Sequence, residues 1–194
     1  GYTSIYPSYM FRGTVAVTAN TTISQDAGYN SYAGIMIGTS SAAKYTIFNV
    51  SSGKTLDIQT LVKNGSYGSG TATEATKLLK YGAGTLILSS TNTYSGGTDI
   101  TAGTVQVANT SALGAGLITM TGGTLSSSST TGYTLANQLS LSGSVTIGNT
   151  VNNGLVTIGG TSSLTGATTL NVESPISLAG TLSGSASLTK DGTN

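Results

Sequence analysis

Short runs of alternating apolar and polar residues, each leaving a glycine turn, constrain this chain more than any other feature. Residues 80–116 contain three such runs, at 84–88, 97–100 and 103–107. Alternation with a period of two is typical of a half-buried strand. The cluster at 92–97 has the composition of a tight turn, because glycine adopts positive φ freely and Asn tolerates it. This segment therefore predicts three strands joined by two tight turns.

The composition extends this prediction to the whole chain. Only 7% of the 194 residues are charged, whereas 37% are hydrophobic and there are 28 glycines against two prolines. With Ser, Thr and Asn supplying most of the rest, this balance favours many short strands joined by tight corners. It argues against disorder, which accompanies high charge and few β-branched residues. We expect an all-β fold without helices.

Charge and residue types exclude several kinds of function. The formal charge is +1 with no basic run, so the chain lacks the electrostatic footprint of a nucleic-acid-binding protein. Cysteine and histidine are both absent, which excludes disulfides, the usual zinc ligands and every catalytic triad that needs an imidazole. We expect no cofactor, no metal and no nucleic-acid partner.

Two architectures fit short strands that are never separated by helices: an antiparallel sandwich or barrel, and a solenoid of parallel coils. Internal repetition favours the solenoid. Residues 187–192, SLTKDG, match residues 77–82, KLLKYG, and residues 168–172 resemble residues 46–50 in the same way. We therefore expect a second repeat to begin at 187–194.

The spacing of these matches predicts an insertion. Lys190 follows Lys80 by 110 residues, whereas Asn171 follows Asn49 by 122. The difference of 12 equals the length of segment 63–74, which is rich in Gly and Ser and lacks alternation. We interpret 63–74 as a loop inserted into one coil.

The segment 80–116 resembles the passenger-associated repeat of bacterial autotransporters. Its glycines, its Asn-Thr-Tyr corner and its alternating strands agree with that family in order and spacing. The second copy departs from the pattern at Asn194, where a glycine is usual. The positions that carry the resemblance, and that we expect to be structural, are Lys80, Gly82, Gly84, Thr85, Leu86, Asn92, Thr93, Tyr94, Gly96, Gly97, Thr98 and Gly103.

The resemblance implies a right-handed parallel β-helix, or β-solenoid, that is exported by an outer-membrane β-barrel translocator. It implies a location at the bacterial cell surface or in the extracellular space. On this interpretation, residues 1–194 are one solenoid segment of a longer passenger.

Two regions are candidates for recognition. Residues 1–12 are rich in aromatic side chains that either bind a sugar or a protein partner, or cap one end of the solenoid. The loop at 63–74 is the second region, since insertions on a repetitive scaffold vary freely and are places where binding residues occur. The alternative is an inert loop that the scaffold tolerates. The candidate binding residues are Tyr2, Tyr6, Tyr9, Lys63, Asn64 and Tyr67.

Catalysis is not expected. The six carboxylates are far apart in sequence, and glycosidases need two carboxyl groups held close together. Asp57 and Asp99 are the pair to test, because stacked coils bring distant residues together. We therefore expect a structural or adhesive passenger segment that binds other copies of itself, a host surface or a glycan, and that acts in biofilm formation. The alternatives are a filament subunit assembled by end-to-end β-stacking and a β-helical enzyme acting on polysaccharide.

Overall fold

The structure is a computed structural model and describes residues 8–25, 34–38, 44–65 and 74–194. The strands in these ranges are, in chain order, β1 (Ser8–Phe11), β2 (Gly13–Val17), β3 (Thr21–Ile23), β4 (Gly34–Ile37), β5 (Tyr45–Val50), β6 (Thr55–Ile58), β7 (Val62–Asn64), β8 (Lys77–Tyr81), β9 (Thr85–Leu88), β10 (Thr98–Ile100), β11 (Thr104–Val107), β12 (Ile118–Met120), β13 (Thr124–Ser127), β14 (Tyr133–Leu135), β15 (Leu139–Ile147), β16 (Val156–Ile158), β17 (Ser162–Val172), β18 (Ile176–Leu178), β19 (Leu182–Ser183) and β20 (Leu188–Asp191). None of the described residues forms a helix, and so no helix there is long and apolar enough to span a membrane.

The strands stack in parallel as the coils of a solenoid. One face carries β2, β5, β8, β10, β12, the start of β15, the start of β17, and β19. The next face carries β3, β6, β9, β11, β13, the end of β15, the end of β17, and β20. The chain visits the faces in turn, so each coil pairs with the coil before and after it. The predicted all-β solenoid is confirmed, and its right-handed sense stays a prediction, based on the preference of parallel crossovers.

The core is built from columns of inward side chains. On the first face, strand registers place Phe48, Lys80, Ile100 and Met120 one above the next, and all four are buried. On the second face, residues such as Leu86 stack in the same way. Neighbouring strands lie about 4.8 Å apart, so these side chains pack directly on one another. Alternation in the sequence becomes one continuous apolar core.

The third face is regular only near the two ends of the described stack. There β1, β4 and β7 form one three-stranded sheet, and β14, β16 and β18 form another. Residues 89–97 and 108–117 lie between them without strands. The signature repeat supplies the connection across this irregular middle.

The structure adjusts the predicted segment boundaries. Lys63 and Asn64 belong to β7, because their backbone pairs with β4, so they lie in a strand where the sequence predicted a loop. Residues 1–7 and 66–73 lie outside the described ranges. Lys80 is buried on the first face, whereas Lys190 is exposed on the second. A second repeat at 187–194 stays a prediction.

Local geometry nevertheless relates the two matched segments. A Cβ at Gly82 would collide with the Val50 carbonyl and the Asn49 side chain. A Cβ at Gly192 would collide in the same way with the carbonyl of Val172 and the side chain of Asn171.

Candidate functional site

Lys80 is the least expected member of the signature repeat. Its side chain points into the apolar column and is fully buried. The Nζ atom donates hydrogen bonds to the carbonyl oxygens of Tyr81, Gly82 and Ala102 at 2.9, 2.7 and 3.1 Å. Burial lowers the pKa of Lys80 from 10.5 to about 8. Since Ala102 belongs to the following coil, the ammonium group ties two coils together at one corner.

Glycines close this corner around the ammonium group. A Cβ at Gly103 would collide with the carbonyl oxygens of Gly82 and Gly84 and would lie 2.6 Å from Nζ of Lys80. The amide of Gly84 donates to the Val50 carbonyl at 2.9 Å in the coil before. The spacing of these glycines therefore reflects close contact between coils.

Asn92 bridges the irregular part of the third face. Its Oδ1 accepts the backbone N–H of Val62 at 2.8 Å, and its Nδ2 donates to the carbonyl of Ala112 at 2.6 Å. The adjacent backbone N–H of Thr93 donates to the Val62 carbonyl at 2.9 Å. The carboxamide adds to the backbone hydrogen bonds of this face, because it supplies one acceptor to the coil before and one donor to the coil after.

Tyr94 fills the core beneath this bridge. The side chain is fully buried, and its hydroxyl lies 2.7 Å from the Oγ1 of Thr98, which is also buried. Burial raises the pKa of Tyr94 above its ordinary value, and the Thr98 hydrogen bond opposes the rise. Tyr94 therefore packs as a neutral phenol at physiological pH.

The remaining repeat positions join neighbouring coils through their backbone. Gly96 donates to the Thr76 carbonyl at 2.9 Å, and the Gly97 carbonyl accepts from Leu78 at 3.0 Å. Thr85 and Leu86 lie in β9, with Leu86 buried. The structure thus brings the repeat residues together as a coil-stacking unit.

Among the candidate binding residues, Asn64 has a clear local role. Its Oδ1 accepts from the N–H and hydroxyl of Thr76 at 3.1 and 3.0 Å, and from the Ser95 N–H at 3.0 Å. These bonds join the end of β7 to Thr76, which directly precedes β8, and to Ser95. Asn64 therefore has a structural role, while Lys63 lies on the outward side of β7 with its pKa lowered by burial.

Of the four tyrosines predicted as binding residues, the structure describes one. Tyr9 lies in β1, is 72% exposed and pairs with the buried Ile35, so it occupies the inward column at the first described coil. A role for Tyr9 in binding or in capping stays a prediction. Tyr2, Tyr6 and Tyr67 lie outside the described residues.

The carboxylates pair with other polar side chains. Asp57 on the second face accepts from Gln59 and Ser89, whereas Asp99 on the first face contacts Lys77 at 3.0 Å. These two candidates for a catalytic pair lie on different faces. In the part of the chain that the structure describes, no group of three or more Asp or Glu residues is arranged to hold a metal ion.

Two features of the surface were not predicted from the sequence. Tyr45 and Tyr81 project from adjacent strands of the first face and are 39% and 40% exposed. The second feature is the complete lack of Asp, Glu, Lys and Arg from Thr101 to Val172. The charge gap is visible in the sequence, but the tyrosine pair depends on the register between coils of unequal length.

Comparison with known proteins found a match to one family model and a similar segment in a named protein. Residues 78–107 match the family model of the passenger-associated-transport-repeat. A 55-residue segment, 27% of this chain, is 56% identical to a protein named adhesin BmaC autotransporter from Brucella suis biovar 1 (strain 1330). The match spans only 2% of that relative's length. No solved structure matches the chain significantly. The repeat and the related segment make this chain similar to autotransporter passengers and support export across the outer membrane to the cell surface or the extracellular space.

Proposed function

We propose that this chain is a structural and adhesive segment of a passenger exposed on the bacterial surface. The observation that carries the proposal is its 56% identity, over 55 residues, to an autotransporter that is named an adhesin. Because the match spans 2% of that relative, the adhesive activity of the whole relative is transferred here as part of the proposal. A stiff stack of parallel coils suits this role, since it holds side chains at fixed positions away from the membrane.

Self-association is the second part of the proposal. The coils between Thr101 and Val172 carry no charged residue, so two copies lying side by side there do not repel each other electrostatically. Their outward Ser, Thr and Asn side chains supply hydrogen-bond donors and acceptors. Contact between rods on neighbouring cells would promote aggregation and biofilm growth.

Surface display tests the adhesive role. The chain is fused to an outer-membrane translocator and expressed in a non-adherent, non-aggregating bacterium. We expect displaying cells to adhere to host-cell monolayers and to settle and form biofilm faster than cells displaying an inert β-solenoid of similar length. Equal adherence and equal settling in the two strains would contradict the proposal.

A filament subunit is the second candidate. The described coils pair through parallel strands with the coils before and after them, and the same pairing can join coils of separate copies end to end. Negative-stain microscopy of concentrated chain is expected to show fibres that dilution removes, and monomers alone at high concentration would contradict this candidate.

A further inference from the structure

The outward surface of β5 and β8 carries two exposed tyrosines, Tyr45 and Tyr81. Strand register pairs Tyr45 with Lys77, the side chain of position 47 with that of position 79, and Asn49 with Tyr81. We call this surface the tyrosine face. Its six side chains are Tyr45, Ile47, Asn49, Lys77, Leu79 and Tyr81.

The two tyrosines lie at opposite corners of this face. Tyr45 begins β5, and Tyr81 ends β8 on the neighbouring strand. Four residues along a strand and one step across the sheet separate their Cα atoms by about 14 Å. Ile47 and Leu79 lie side by side between them and are half-buried, so a flat apolar strip joins the two rings.

Charges along the face neutralise one another. Lys77 lies 3.0 Å from Asp99. Asp99 belongs to the neighbouring strand β10, where it pairs with Leu79 of β8. Lys44, directly before Tyr45, lies 3.2 Å from Glu74. Both lysines thus face a carboxylate, and an anionic ligand would have to displace it. The face favours an uncharged ligand.

The size of the face decides between a protein and a smaller ligand. Two strands by five residues cover an area of roughly 160 Å², whereas a standard protein interface buries about 800 Å² on each partner. Exposed tyrosine rings stack on apolar surfaces while their hydroxyls remain hydrated. Sugar rings present such surfaces through their C–H groups, and Asn49 is placed to hydrogen-bond the hydroxyls around them.

From this geometry we propose that the tyrosine face binds a neutral oligosaccharide of several sugar rings, with Tyr45 and Tyr81 stacking on separate rings. The proposal rests on the adhesive role proposed above and gives that role a ligand class and a site. The tyrosine rings supply the contact area, and Asn49 and Lys77 orient the chain of sugars between them.

The test uses a microarray of neutral and acidic glycans probed with the fluorescently labelled chain. Neutral glycans that retain the chain are then titrated by calorimetry. We expect Tyr45→Ala and Tyr81→Ala each to weaken binding about tenfold, since loss of a stacked aromatic costs near 1.4 kcal/mol. Tyr45→Phe and Tyr81→Phe keep the ring and should keep most of the affinity.

Val151→Ala serves as the control, because Val151 is exposed and lies outside the tyrosine face. Circular dichroism of each variant establishes that it is folded. Retention of acidic glycans alone, absence of any retained neutral glycan, or equal binding by the wild type and both alanine variants would overturn the proposal.

The surface-display assay separates this proposal from the adhesive role. Adherence that persists without any glycan binding contradicts the tyrosine face alone. Glycan binding by a chain that confers no adherence contradicts the adhesive role and supports the site. Adherence that needs both tyrosines but survives enzymatic removal of host glycans indicates a protein partner and overturns the glycan site.

Discussion

The hydroxyl of Tyr94 lies 2.7 Å from the Oγ1 of Thr98, and both side chains are fully buried between coils. The tyrosine comes from the irregular third face and the threonine from β10, so the bond links a corner to the next strand. Buried polar groups are costly without partners, and these two satisfy each other. The pair therefore stabilises the coil in which the third face lacks a strand.

Tyr94→Phe is expected to lower the free energy of unfolding by about 1–2 kcal/mol, because Thr98 loses its short hydrogen bond. Tyr94→Ala should cost about 3–5 kcal/mol, since it also leaves a cavity. Denaturant unfolding followed by circular dichroism measures both. Tyr94→Phe in a Thr98→Val background should cost much less, and an equal cost there would show that the hydroxyl pair is not coupled.

Comparison of Gly103 with Gly53 distinguishes two reasons for a glycine: a positive φ and close contact with neighbouring atoms. Both have positive φ, at 66° and 67°, but a Cβ at Gly53 meets open space. Gly53→Ala should cost about 1–2 kcal/mol of left-handed strain. Gly103→Ala adds a collision with the carbonyls around Lys80, so we expect a cost of about 4 kcal/mol or loss of folding. Thermal and denaturant unfolding compare the two, and equal costs would contradict close contact at this corner.

Lys80 should give the chain a distinctive pH dependence. With its pKa lowered to about 8 in the fold and near 10.5 when unfolded, the unfolded chain holds more protons between these values. The stability of the wild type relative to Lys80→Met should therefore rise with pH across this window, by up to about 3 kcal/mol. Below pH 8 the difference should be flat. Unfolding of both proteins from pH 7 to 10.5 measures it, and a constant difference would mean an ordinary lysine pKa.

The solenoid was predictable because each strand encodes its own alternation and each corner its own glycine. The inward direction of Lys80 was harder to predict, although it has the same parity in β8 as the buried Leu78. A lysine normally indicates an outward position, and its three carbonyl acceptors come partly from another coil. Contacts that depend on such neighbours are not visible in a local pattern.

The tyrosine face was also not predictable from a local sequence pattern. Asn49 and Tyr81 pair in the structure. In the sequence, the coil that connects them is longer than the coils that follow it. The register of two coils is fixed by core packing, so it cannot be counted from residue spacing when their lengths differ. Residues that are neighbours on the surface but belong to different coils can therefore be identified only in the structure.

Asn92 provides the last prediction, because its carboxamide links the coils before and after it where the third face has no strand. Asn92→Ala removes the acceptor of the Val62 N–H and the donor to the Ala112 carbonyl, both buried. We expect a loss of about 2–4 kcal/mol and faster hydrogen exchange at the amide of Val62. Asn92→Asp keeps an acceptor for that amide but repels the Ala112 carbonyl, so exchange at Val62 should stay closer to that of the wild type.

Thr93→Ala is the matched control for this bridge. Thr93 is adjacent and exposed, and its backbone N–H donates to the Val62 carbonyl whatever its side chain. Its replacement should change stability by less than about 0.5 kcal/mol. If Asn92→Ala had no larger effect than Thr93→Ala, the irregular third face would be held by its backbone alone. A selective loss of Val62 protection in Asn92→Ala would instead show that this side chain strengthens the contact that the backbone bonds make between the coils.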